Sequence, residues 1–169
     1  MMTFDVAVIG LGAMGSAASW HLARSGARVI AFDCLEPPHS MGSSHGHTRI
    51  IREAYYEHPL YVPLVRRAYE LWGDLERTTG GQLFQQTGGL MVGRESGSLV
   101  RGALQSALAH NIEHELLDAA QISRRFPAYR TARDMIALFE RRAGILFPEK
   151  CIAAQLAVAR AAGAQLHIN

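Results

Sequence analysis

Phe4-Asp5-Val6-Ala7-Val8-Ile9-Gly10-Leu11-Gly12-Ala13-Met14-Gly15 begins as a short apolar run rich in β-branched residues and is stopped at once by a glycine. That is the pattern of a buried parallel strand running into a turn. From Ala13 to Ser25 small and apolar residues (Ala17, Ala18, Trp20, Leu22, Ala23) continue without a breaker to Gly26, the expected C-terminal glycine of a helix. Arg28-Val29-Ile30-Ala31-Phe32 then forms a second apolar run that ends at Asp33. Strand, glycine turn, helix and strand make a βαβ unit, whose crossover is right-handed.

Gly10-x-Gly12-x-x-Gly15 is a weak pattern in isolation. Here it follows a strand, opens a helix and is answered by Asp33, 18 residues after Gly15. Gly10 suits the tight turn, Gly12 lets backbone approach a pyrophosphate, and Gly15 permits close helix-to-strand packing. The helix N-terminus offers unpaired N–H groups and a positive dipole end to phosphate. Asp33 is placed to accept hydrogen bonds from a ribose hydroxyl pair, and its charge repels a 2′-phosphate, which argues against NADP. Glycines that merely shape a turn would not need the acid. The fingerprint leaves FAD and NAD equally open, since both present adenosine diphosphate to it.

Beyond Asp33 the alternation stops. Residues 34–48 (CLEPPHSMGSSHGHT) carry two prolines, two glycines, four serines or threonines and three histidines, which reads as a long functional loop. Pro63 sits where a first helical turn tolerates it, and Leu64, Ala68, Leu71, Trp72 and Leu75 recur at helical spacing before Gly80-Gly81. Leu90-Met91-Val92 and Met135 to Glu140 read as strands, and residues 98–110 as a helix with apolar face Leu99, Ala103, Ala107 and Leu108. Asp118 caps a short expected helix over 119–125, and Pro148-Glu149 opens a last helix that Gly163 closes. Gln165-Leu166-His167-Ile168 opens a strand at which the sequence stops, and three parallel strands would leave a doubly wound sheet poorly covered. A truncated chain is the expectation.

The 169 residues are 49% hydrophobic and 19% charged, with 17 Lys and Arg against 15 Asp and Glu and a net charge of +2. That is a globular composition with no basic patch, so nucleic acid and anionic membrane are not expected partners. No early apolar run is long enough for a membrane span or a signal peptide. Cys34 and Cys151 lie far apart without a C-x-x-C pair, so reduced thiols and a cytoplasmic setting are expected. His39, His45, His47 and His58 invite a metal site, but no carboxylate or cysteine completes a set at zinc spacing, and none is assigned. His110 and His114 are expected to face solvent, Trp72 and Tyr69 to be core and helix surface, and Arg49 and Arg52 have surface ion pairs with Glu53 or Glu57 as an alternative to ligand contact. No Ser-His-Asp arrangement is visible.

The loop after Asp33 tilts the reading to a flavin. Pro37-Pro38-His39, Gly42-Ser43-Ser44-His45-Gly46, Thr48-Arg49-Ile50-Ile51-Arg52 and Tyr55, in this order behind the glycine turn, resemble the monomeric sarcosine oxidase and N-methyl-tryptophan oxidase family. Tyr61-Val62-Pro63-Leu64, Glu70-Leu71-Trp72, Thr87-Gly88, Arg125-Phe126-Pro127 and Gly144-Ile145-Leu146-Phe147-Pro148 extend the resemblance over essentially the whole chain.

The resemblance implies an α/β fold: a Rossmann-like FAD-binding domain of the p-hydroxybenzoate-hydroxylase-like kind, with part of an antiparallel α+β substrate domain. On that basis residues 1–80 hold the FAD-binding βαβ and flavin loop, 81–148 a partial substrate domain, and 149–169 a return to the first. It implies FAD as cofactor, with Gly10, Gly12, Met14, Gly15, Asp33, Ser43, Thr48 and Arg49 as contacts. Arg49 and His45 stand as catalytic residues beside the flavin. Arg52 binds the substrate carboxylate, a task suited to a forked, permanently charged guanidinium. The implied reaction is oxidation of a secondary amine amino acid, sarcosine or an N-methyl amino acid, with O2 reduced to H2O2. The implied partners are that small substrate and O2, in a monomer.

Two departures stand out: Ser44-His45-Gly46-His47 replaces a frequent H-H-G-D, and Tyr56 a frequent glycine, so the site entrance differs. The family's covalent flavin cysteine and oxygen-activating lysine fall beyond residue 169, so neither Cys34 nor Cys151 takes the covalent role. Both cysteines are expected to pack as small apolar residues. The competing readings are an NAD-dependent dehydrogenase and a truncated, non-catalytic nucleotide-binding fragment.

Overall fold

Val6–Ile9 (β1), Ala13–Arg24 (α1) and Val29–Asp33 (β2) form the first βαβ unit in a computed structural model that describes residues 3–168. The remaining elements are β3 (Arg49–Ile51), α2 (Tyr61–Thr79), β4 (Phe84–Gln86), β5 (Gly89–Arg94), α3 (Ser98–Ala109), β6 (His114–Asp118), α4 (Ala119–Arg125), β7 (Met135–Glu140), β8 (Gly144–Leu146), α5 (Pro148–Ala161) and β9 (Gln165–Ile168). They divide into two compact units, one of Met1–Arg49, Trp72–Phe84 and Leu146–Asn169, the other of Ile50–Leu71 and Gln85–Ile145. The sequence draws its divisions at 80 and 148. The contacts divide the chain inside α2 instead, because Val62 near its start packs in the second unit while Leu75 near its end packs in the first.

In the first unit β2 is central, flanked by β1 and β9, all parallel, with Val6 opposite Val29, Ile9 opposite Phe32, and Asp33 opposite Ile168. Trp20, Val29, Leu75, Leu83, Cys151 and Ala159 fill one core cluster, and Leu11, Ala31, Ile152 and Leu156 another. α1 packs along α5, and Ser16 and Gln155 meet between them at 2.7 Å. β1 starts at Val6 rather than Phe4, since Asp5 turns to the Arg28 guanidinium (Nη2 to Oδ1, 2.6 Å).

In the second unit β7 is central in the antiparallel order β5-β7-β6, with Gly89 and His114 opposite Glu140. α3 lies on this sheet through Val100, Ala103 and Ala107. α4 is held by a full capping box between Asp118 and Gln121 and buries Ile122 against Leu117 and Ala137. Gly102 lets α3 run close to the backbone of Tyr56, whose carbonyl oxygen would stand 2.0 Å from an added Cβ. The short strands β3, β8 and β4 pair in that order in a further sheet.

Several expectations are corrected. β3, β4, β6 and β8 have no counterpart in the sequence reading. Leu108 is 64% exposed, and α3 buries Val100 and Ser106 instead, the Ser106 hydroxyl being satisfied by the Tyr55 carbonyl. His110 and His114 are half-buried rather than solvent-facing, because the His114 ring turns back onto the Ile112 carbonyl (2.7 Å) and the His110 carbonyl accepts from Arg66. Cys151 is buried as expected, whereas Cys34 is exposed, lying past the end of β2 where no element covers it. Tyr69 is half-buried, its hydroxyl reaching the Ile51 and Arg142 carbonyls.

Candidate functional site

The carboxyl ends of the three parallel strands open onto a crevice of about 560 Å³ lined by Ile9, Gly10, Phe32, Asp33, Cys34, His167 and Ile168. Open α/β sheets bind ligands at this position. Ile9 is 80% exposed, at the end of a strand whose Val6 and Val8 are half-buried and whose Ala7 is exposed, so β1 is less buried than its apolar sequence predicts. The strand therefore presents apolar surface to whatever enters the crevice.

The glycine turn is built as the fingerprint requires. Gly10 has φ +85°, and a Cβ on Gly15 would stand 1.7 Å from the Gly10 carbonyl oxygen, so helix and turn are in backbone contact. Gly12 is the N-cap of α1 and supplies no side chain, and the first turn carries no acid. An anion thus meets a helix N-terminus whose own first turn supplies no negative charge, although the Ala13 N–H is already given to Ser44. Asp33 lies at the mouth, its Oδ2 accepting the Leu11 N–H at 2.7 Å. Burial pushes the Asp33 carboxyl up, but N–H donation from Leu11 and Leu35 and the neighbouring His39 outweigh it and hold the group below the ordinary carboxylate value.

Two residues of this site are not among the cofactor contacts that the sequence reading assigns. Ser44, not Ser43, reaches the turn: its hydroxyl oxygen accepts the Ala13 N–H at 3.1 Å and keeps its own hydrogen to donate. Adjacent serines look alike in sequence, and only the loop's path separates them. His39 lies with Nε2 3.3 Å from Asp33 Oδ1 and Nδ1 buried without a partner. Its place in Pro37-Pro38-His39, six residues past the acid, was the available signal.

The loop folds around Arg49, which donates to the carbonyls of Thr48 (2.9 Å), Ser43 (3.1 Å) and His45 (2.8 Å). Arg49 is thus spent in part on organising the loop. The His45 Nδ1 lies 2.9 Å from the Gly42 carbonyl, which only accepts, so the neutral ring presents Nε2 as an acceptor. Glu149, in the first turn of α5, accepts the Gly46 N–H at 3.0 Å and ties the loop to the unit. Met14 projects from the first turn of α1, 87% exposed.

Arg52 belongs to the second unit. With Ile50, Gly88, Leu90, Met91, Leu99 and Tyr129 it lines a cleft of about 550 Å³. Its guanidinium lies 4.8 Å from the Tyr55 ring centre and 5.8 Å from that of Tyr56. Nη2 stands 3.8 Å from Glu57, a loose pair, and Nε is buried with no hydrogen-bond partner. Glu53 pairs with neither Arg49 nor Arg52. It takes Arg66 (2.7 Å) and Arg142 (2.7 Å). An arginine with a buried unsatisfied donor, stacked on aromatic rings in an apolar cleft, is fit to receive a planar anion.

The family model for FAD dependent oxidoreductase matches residues 5–169. A curated relative from Streptomyces avermitilis, named monomeric sarcosine oxidase, is 49% identical over 167 residues, covering 99% of this chain and 44% of the relative. A Yersinia pestis protein named N-methyl-L-tryptophan oxidase is 36% identical over 168 residues, covering 99% of this chain and 45% of its own length. Among solved structures, the open form of NikD, described as an unusual amino acid oxidase essential for nikkomycin biosynthesis, superposes with TM-score 0.86 at 26% identity, over 99% of this chain and 44% of that one. The chain therefore spans less than half the length of the curated relatives it matches.

Proposed function

The chain belongs to the FAD dependent oxidoreductase family, and from that premise we propose that it carries the nucleotide site and the substrate-carboxylate residue of an amine oxidase acting on sarcosine or another N-methyl amino acid. The observation that carries the reading is the crevice over the glycine turn. It combines backbone contact between Gly10 and Gly15, an acid-free helix N-terminus, and Asp33 held ionised at the mouth.

These residues fit FAD. The N–H groups of the turn and the Ser44 hydroxyl suit its pyrophosphate, Asp33 its ribose hydroxyls, and Ile9 and Phe32 its adenine. Thr48, Arg49 and His45 are the residues proposed to face the flavin, which when bound would supply the two-electron oxidation of the amine, the electrons passing on to O2 to give H2O2. Arg52 binds the substrate carboxylate and fixes the N-methyl amine in one orientation, the protein's main contribution being placement. Tyr55 and Tyr56 narrow the approach to Arg52. Two free cysteines support a reducing, cytoplasmic setting, and the name of the Streptomyces relative supports a monomer.

The test is a visible absorption spectrum of the purified chain with and without added FAD, followed by acid precipitation. The expected result is a flavin spectrum whose colour passes into the supernatant. A colourless protein that ignores FAD but quenches NADH fluorescence would overturn the reading in favour of a nicotinamide site.

A further inference from the structure

Glu140 ends β7, the central strand of its sheet, with no exposed surface. An ionised carboxylate in that position needs strong donors. Its donors are two backbone N–H groups: Glu53 gives to Oε1 and Ala54 to Oε2, both at 2.8 Å. Neither comes from Glu140's own sheet. Both belong to the turn directly after Arg52, and their partner lies 87 and 86 positions away in the chain.

The rest of the network locks the same turn from other sides. Glu53, 1% exposed, is held by Arg66 from α2 and by Arg142, and the Tyr69 hydroxyl donates toward the Ile51 and Arg142 carbonyls. Arg52 itself is excluded from this set of bonds. Its Nε has no partner and its Nη2 only the loose contact with Glu57. The backbone on either side of Arg52 is thus pinned while the guanidinium keeps its donors for a ligand.

The geometry points to Glu140 as the positioning residue for Arg52: by gripping the N–H groups of Glu53 and Ala54 it sets the direction in which the guanidinium enters the cleft. This rests on the reading of Arg52 as the carboxylate-binding residue. The role goes to Glu140 because only a carboxylate offers two acceptor oxygens at the right separation and no competing donor. Glutamine would satisfy one N–H and turn its own NH2 toward the other.

Two measurements test it. In the 169-residue chain, Glu140→Gln should speed hydrogen exchange at the Glu53 and Ala54 amides about tenfold or more, leaving the paired amides of β5 and β7 unchanged. With FAD bound, the same variant should raise KM for the amino acid substrate about tenfold or more, with kcat within about twofold and the flavin retained. Acetate should bind correspondingly more weakly and its neutral isostere acetamide equally well, read as perturbation of the flavin spectrum. Glu140→Asp, one methylene shorter, should recover part of the loss. Unchanged amide exchange, or equal weakening of acetate and acetamide, overturns the proposal. So does an unchanged KM when Arg52→Ala raises it. If Arg52→Ala itself leaves KM unchanged, the substrate reading falls, and the amide exchange still decides whether Glu140 pins the turn. If neither Glu140 variant folds, the carboxylate serves folding alone and the proposal is overturned.

Discussion

Gly10 and Gly15 look equivalent in the fingerprint, yet the structure gives them different physical burdens. Gly10 has φ +85° with open space where a Cβ would go, so Gly10→Ala meets only the backbone cost of the left-handed region, about 1–2 kcal/mol. Gly15→Ala would drive a methyl to 1.7 Å from the Gly10 carbonyl oxygen, a clash with backbone that no rotamer relieves. Its expected cost exceeds about 3 kcal/mol, so urea denaturation should rank it as the worse of the two. A second contrast separates the cysteines. Burial pushes the Cys151 thiol up to about 12, whereas Cys34 stands exposed in the wall of the crevice proposed for the nucleotide. Iodoacetamide should alkylate Cys34 alone in the folded protein, and saturating FAD should protect it. Labelling of Cys34 that ignores FAD would mean the nucleotide does not occupy that crevice.

At the scale of elements, α4 is the case where local chemistry alone determines the structure. Asp118 accepts from the Gln121 N–H while the Gln121 side chain accepts from the Asp118 N–H, satisfying two orphan donors at once. Asp118→Ala should therefore destabilise the second unit by about 1 kcal/mol, measured as a lower urea midpoint at constant m. Elements with such signals were legible in the sequence: the glycine turn, α1 with its closing Gly26, α4 behind its cap, and α5 behind Pro148. The missed strands carried none. β3, β4 and β8 are three residues each, too short for an alternation to register, and β6 (His-Glu-Leu-Leu-Asp) buries only Leu117. They are strands because non-local partners lie beside them. The site divides in the same way. Gly10, Gly12, Gly15 and Asp33 stand out as candidates because their spacing is local to one βαβ unit. Glu140 was invisible because its role depends on a turn 86 positions away, and Ser44 because only the loop's path tells it from Ser43.

For the whole molecule, the proposed nucleotide contacts and the proposed carboxylate-binding residue fall in different units of the chain. Gly10, Gly12, Asp33 and Ser44 belong to the first unit, and Arg52 to the second, so the run Thr48-Arg49-Ile50-Ile51-Arg52 passes from one to the other. α2 does the same, with Val62 buried in one core and Leu75 in the other. A ligand that touches only one unit stabilises that unit by its own binding free energy, about 2.7 kcal/mol at a concentration 100 times its Kd. ADP, the part of FAD for which the glycine turn is suited, should then slow exchange of the β1, α1 and β2 amides by up to about 100-fold, wherever exchange proceeds through opening of the first unit. The paired amides of β5, β6 and β7, which lie in the second unit, should exchange at their ligand-free rates. Protection that spread equally to that antiparallel sheet would show that the two units open together, and that α2 couples them into a single cooperative body. Protection absent from both would remove ADP from the crevice, and with it the assignment of Asp33 to the ribose.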